Sequence, residues 1–122
     1  MIKKNDKIFV AGHNGLIGSA IIRELKSKGY KNIITIEKKK LNLINQIKVF
    51  KFLKRIKPKV TIIAAAKVGG IYANNVYRGE YIYENLAIQN NLIHGSLSET
   101  SLNIRGISLI LLSAVLFARR LT

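Results

Sequence analysis

The chain predicts an α/β fold, a parallel sheet with helices on both faces. Three observations predict it. Short apolar runs alternate with longer segments of helical period. A Gly-x-x-Gly-x-x-Gly turn (Gly12, Gly15, Gly18) joins the first run to the first helical segment. Helix breakers, Gly29 and Pro58, stand where the first two helical segments should stop. Alternation at this spacing is the pattern of βαβ units.

The elements follow in order. Lys7-Ile8-Phe9-Val10 reads as the first strand. Leu16 to Lys28 reads as the first helix, with Ile17, Ala20, Ile21 and Leu25 forming an apolar stripe. Gly29 is a natural helix stop. Asn32-Ile33-Ile34-Thr35-Ile36 reads as a second strand, its β-branched run suiting burial on both faces. The second helix is expected from about Asn45 to Ile56, with Val49, Phe52, Leu53 and Ile56 inward and the basic residues opposite. Lys57-Pro58-Lys59 breaks it. Val60-Thr61-Ile62-Ile63-Ala64 is the third strand. A long helix is expected from roughly Tyr77 to Ser96, with two stripes, Tyr81/Asn85/Ile88/Leu92 and Ile82/Leu86/Ile93. Right-handed crossovers are expected to order the strands 3-2-1, with a fourth parallel strand beside the first.

Composition narrows the function classes. The 122 residues carry 21 basic and 6 acidic side chains, a net charge of +15. The basic residues do not form one patch. Many fall on predicted helix surfaces, and Lys and Ile dominate the whole chain. A dedicated nucleic-acid partner is therefore not expected, although a small anionic ligand would benefit from the field. The absence of cysteine excludes disulfides and thiolate metal sites and fits a reducing cytoplasm. No apolar run approaches the roughly 18 residues of a membrane helix. The charged N-terminus is not expected to be a secretory leader. His13 and His94 are isolated, so no metal site is expected.

The glycine turn carries the chemistry. In a doubly wound sheet, the turn after the first strand cradles the pyrophosphate of a dinucleotide. The helix that follows presents unpaired N–H groups and a partial positive charge. Beyond the second strand, Glu37 is followed by Lys38, Lys39 and Lys40. An acid there suits the ribose hydroxyl of NAD and a base the phosphate of NADP, and the basic majority favours NADP. Small residues Ala64-Ala65-Ala66 leave the third strand and let backbone pass close to a cofactor. Lys67 follows at once, with Asn74 and Asn75 beyond, on a loop above the crevice. Asn85 sits on an apolar helix stripe, so its amide either satisfies backbone groups or faces a polar site.

These residues resemble the GDP-L-fucose synthases, within the extended short-chain dehydrogenase/reductases. The likeness lies in Phe9 to Ile21, in Ala64-Ala65-Ala66-Lys67-Val68-Gly69-Gly70-Ile71-Tyr72-Ala73-Asn74-Asn75, and in Tyr81 to His94. It implies a Rossmann-like portion that binds NADPH through Gly12, His13, Asn14, Gly15, Leu16, Ile17 and Gly18, with Lys38, Leu41, Ala64 and Ala65 completing the cofactor site. Lys67 and Asn85 are the expected substrate-side residues. The resemblance implies a nucleotide-sugar substrate, GDP-4-keto-6-deoxymannose, epimerised and reduced by NADPH in a cytoplasmic homodimer. Alternatives are another extended short-chain epimerase/dehydratase and a non-catalytic cofactor-binding fragment.

The chain departs from the family pattern. The family's catalytic Tyr-x-x-x-Lys pair is absent, as are any cysteine and the family's Gly-Ser-Ser-Cys block. No catalytic residue is assigned. Residues 1–95 are expected to form the Rossmann portion, and 96–122 a divergent tail in which the likeness ends. A reading-frame change or premature end in a longer gene would produce this. The other frames downstream of the Gly95 codon would then encode the missing motifs. The Ile107–Leu112 run is expected to supply a surrogate fourth strand, or else to leave an aggregation-prone edge.

Overall fold

The structure is a computed structural model that describes residues 2–67, 76–98 and 109–111. Its elements are β1 (Ile8–Ala11), α1 (Leu16–Ser27), β2 (Ile33–Ile34), α2 (Gln46–Ile56), β3 (Val60–Ile63), α3 (Arg78–Ser98) and β4 (Leu109–Leu111). All strand pairings are parallel. β1 and β3 are buried along their whole lengths. Their side chains alternate between the two faces. Ile8, Val10, Val60 and Ile62 meet Ile21, Ile22 and Leu25 of α1 on one face. Phe9, Ala11 and Ile63 meet α2 and α3 on the other, through Val49, Phe52, Leu53, Ile88 and Leu92. The Phe9 and Phe52 rings pack edge to face at 5.2 Å.

The strand order is β2-β1-β3-β4, which corrects the expected 3-2-1 arrangement. The placement of the helices explains it. A right-handed crossover moves the chain one way across a sheet when its helix covers one face, and the opposite way when it covers the other. α1 and α2 lie on opposite faces, so the step from β2 reverses, passes β1 and adds β3 at the far side. α3 shares the face of α2, so the next step continues outward. β4 therefore pairs with β3, Thr61 opposite Leu109, and not with β1.

This order also makes β2 an edge strand. Only two residues join the ladder and both are half-buried, in place of the five expected to be buried on both faces. The inner face of α1 is rotated from the expected stripe. Gly18 is buried, whereas Ile17 and Ala20 are exposed. On α3 the first expected stripe packs inward, while the second divides: Ile82 and Leu86 face outward and Ile93 packs against the core. Among the described residues, no helix is long and apolar enough to cross a membrane.

Helix ends are locally specified. Asn45 caps α2, its Oδ1 accepting from the Lys48 N–H at 3.0 Å. Lys57 ends that helix in the left-handed region, immediately before Pro58. Gly29 ends α1 at a φ of 82°. There the Gly29 N–H donates to the Lys26 carbonyl and the Tyr30 N–H to that of Leu25, the paired bonds of a Schellman ending.

Candidate functional site

The reversal of strand order places a crevice between the carboxyl ends of β1 and β3, where open α/β sheets bind ligands. The glycine turn forms its floor. Gly12 has a φ of +85°, and a Cβ there would lie 2.6 Å from the Ala64 carbonyl carbon and the Ala65 nitrogen. The two strand ends thus meet backbone to backbone. The Gly15 N–H donates back to the Gly12 carbonyl at 3.2 Å and closes the turn. Gly18 is packed beneath, where a Cβ would meet the Gly12 carbonyl group and, at 3.1 Å, the His13 Cα. Close contact at Gly18 fixes which face of α1 turns inward.

Gly15 differs. A Cβ there would make only an ordinary 3.5 Å contact with the Gly12 oxygen, so the fold does not require its absence. Gly15 is also the N-cap of α1 and supplies no side-chain cap. The first-turn N–H groups are left to an external acceptor, which is the arrangement that binds phosphate. Gly15 lines the cavity, from which an anion can approach them.

The cavity above the turn has a volume of about 240 Å³. Gly12, His13, Asn14, Gly15, Lys38, Leu41, Ala64, Ala65 and Lys67 all line it. Four other expected site residues lie outside the lining. Leu16 and Ile17 open α1 and are exposed, at 87% and 47%. Gly18 is under the turn, and Asn85 is behind the loop that follows β3. Asn74 and Asn75 lie outside the described residues. His13 also lines a second crevice, beside β2, with Lys40 and Arg55. Its Nδ1 is buried without a hydrogen-bond partner.

α3 holds the cavity walls. The Asn85 side chain mimics a peptide toward Lys67: its Oδ1 accepts from the Lys67 N–H at 2.6 Å, and its Nδ2 donates to the Lys67 carbonyl at 3.1 Å. Of the two roles open to this amide, the structure shows the satisfaction of backbone groups. Asn91, 5% exposed, donates to the carbonyls of Leu43 and Ile44 at 2.9 and 3.0 Å and so pins the opposite wall. The Lys67 ammonium lies 2.8 Å from both carboxylate oxygens of Glu84 and 5.4 Å from the Tyr81 ring centroid. The hydrogen bond that Lys67 donates to Glu84 holds the lysine above its ordinary range, against a smaller opposing effect of desolvation.

Sequence reasoning missed Glu84 and Asn91. Helical spacing was the available signal, because 81, 84, 85, 88, 91 and 92 follow one another at three- and four-residue steps along one face. No group of three or more His, Cys, Asp or Glu side chains suited to a metal occurs among the described residues.

Comparison with known proteins agrees with this geometry. The model of the NAD dependent epimerase/dehydratase family matches residues 8–115. GDP-L-fucose synthase 1 of Arabidopsis thaliana is 49% identical over 96 residues, covering 79% of this chain and 30% of its own length. The GDP-L-fucose synthase of Escherichia coli strain K12 is 40% identical over 90 residues, 74% of this chain and 28% of that protein. Among solved structures, a GDP-D-glycero-L-gluco-heptose synthase from Campylobacter jejuni, in the presence of NADPH, aligns with a TM-score of 0.80 at 37% identity. That alignment covers 89% of this chain and 31% of the other. A GDP-mannoheptose C4 reductase from the same organism, with NADP bound, aligns at 0.77 and 39% identity, over 81% and 31% of the two chains. The chain thus spans less than a third of the length of these relatives. With the family model matched over residues 8–115, most of its length, the chain belongs to the NAD dependent epimerase/dehydratase family.

Proposed function

We propose that this chain binds NADP(H) and is the cofactor-binding part of a cytoplasmic GDP-sugar epimerase/reductase of the GDP-L-fucose synthase kind. The observation that carries the reading is the contrast among the three turn glycines. Gly12 and Gly18 are required by contacts within the chain, whereas Gly15 would accept a Cβ at ordinary contact distance and lines the cavity at a helix N-terminus without a side-chain cap. Lys38, lining the same cavity in the turn beyond β2, supplies a cation for the phosphate that distinguishes NADP from NAD. The relatives at 49% identity are GDP-L-fucose synthases, and two of the similar solved structures were determined with NADP or NADPH.

Catalysis is a separate matter. No Tyr-x-x-x-Lys pair and no cysteine occur in these 122 residues. The reading is therefore cofactor binding without turnover of nucleotide sugar by this chain alone. Calorimetric titration with NADPH and NADH tests it. NADPH binding tighter than NADH, with the difference removed by Lys38→Gln, is the expected result. Binding of neither, or turnover by the purified chain, overturns the corresponding half. The homodimer that the resemblance implies belongs to the same reading, and sedimentation equilibrium tests it.

A further inference from the structure

The cavity carries two cations, and they are not equivalent. Lys38 stands on the β2 side and forms no ion pair with a described residue. Lys67 stands on the β3 side and is paired to Glu84, which lines the cavity with it. One end is thus cationic and the other is electrically balanced. The balance is built into the fold. Asn85 fixes the Lys67 backbone through two hydrogen bonds, and Glu84, the preceding residue on α3, meets the ammonium.

A dinucleotide lying across the switch point puts its adenosine on the β2 side of the glycine turn and its other nucleoside on the β3 side. The phosphorylated ribose then falls to Lys38, and the nicotinamide end approaches the Lys67–Glu84 pair. That ring is cationic when oxidised and neutral when reduced. An unpaired Lys67 would repel the oxidised form only, and an unpaired Glu84 would attract it only.

We infer that Glu84 is a specificity-determining residue for the oxidation state of the cofactor: by neutralising Lys67, it lets the β3 end of the cavity accept the oxidised and reduced rings alike. The inference rests on the cofactor reading above. Its readout is the ratio of dissociation constants for NADP+ and NADPH, which partial unfolding would leave unchanged because it weakens both equally.

The test is calorimetric titration of the 122-residue chain and four variants with each form. Glu84→Gln leaves a net positive charge and shifts the ratio toward NADPH by about threefold or more. Lys67→Gln leaves a net negative charge and shifts it by a similar factor toward NADP+. The double variant returns to the wild-type ratio. Lys38→Gln weakens both forms with no change in ratio. Single variants that leave the ratio unchanged, or that both shift it in one direction, overturn the charge balance while wild-type binding upholds the cofactor reading. A wild-type chain that binds neither form overturns the cofactor reading itself and the inference with it.

Discussion

Gly12→Ala and Gly29→Ala form a matched pair, because the two glycines share a backbone conformation and differ in surroundings. Their φ values are 85° and 82°. An L-residue in that region costs about 1–2 kcal/mol at either site. A Cβ at Gly29 meets nothing within 4 Å, so Gly29→Ala should lose only that amount. A Cβ at Gly12 would sit 2.6 Å from backbone atoms of Ala64 and Ala65, where ordinary contact begins at 3.4 Å. One strand end must retreat by about 0.8 Å, and overpacking of that kind adds about 1–3 kcal/mol. The expected loss for Gly12→Ala is therefore about 2–5 kcal/mol, a large share of the roughly 5–15 kcal/mol that domains possess. Urea unfolding followed by circular dichroism measures both, with wild type as reference. Equal losses at the two positions would refute the close approach of β1 and β3 on which the site geometry depends.

Gly15→Ala should keep stability within about 0.5 kcal/mol of wild type, since its Cβ makes only an ordinary contact, yet weaken NADPH binding in calorimetry. Undiminished affinity would show that no ligand approaches Gly15. Asn91→Ala leaves the Leu43 and Ile44 carbonyls without their side-chain donor and should cost about 1–3 kcal/mol in urea unfolding. A loss below about 0.5 kcal/mol would mean that water replaces the amide. Gly95→Ala should cost about 1–3 kcal/mol in urea unfolding. Its Cβ would lie 2.7 Å from the fully buried Leu53 side chain and 2.9 Å from the edge of the Phe50 ring, and the better helix propensity of alanine offsets only part of that.

What could be read from the residues was largely local. The α2 stripe of Val49, Phe52, Leu53 and Ile56 packs inward as its period requires, and Asn45, Gly29 and Pro58 mark helix ends through their own chemistry. Strand order was not readable in this way. It depends on which sheet face each helix covers, and the α1 and α2 stripes carry no label for a face. The same limit explains β2. An apolar run such as Ile33–Ile36 suits a central or an edge position, and the choice was made when β3 took the far side of β1. On α3 two apolar stripes were present and periodicity could not rank them. The one bearing Asn85 turned inward, where its amide and that of Asn91 beside it find backbone partners. Part of the cavity lining, Gly12 to Gly15 and Ala64 to Ala66, was legible from the glycine turn and the alanine run. The Glu84 carboxylate was not, because its meaning depends on Lys67, 17 residues away.

Asn85 grips the loop after β3, Asn91 grips the segment before α2, and Gly95 nests α2 itself. α3 is thus a common tie-beam for parts that are far apart in sequence. A nucleotide wedged between those parts would stiffen the beam along its length. Amide protons around Asn91, remote from the glycine turn, should then exchange with deuterium more slowly when the nucleotide is present.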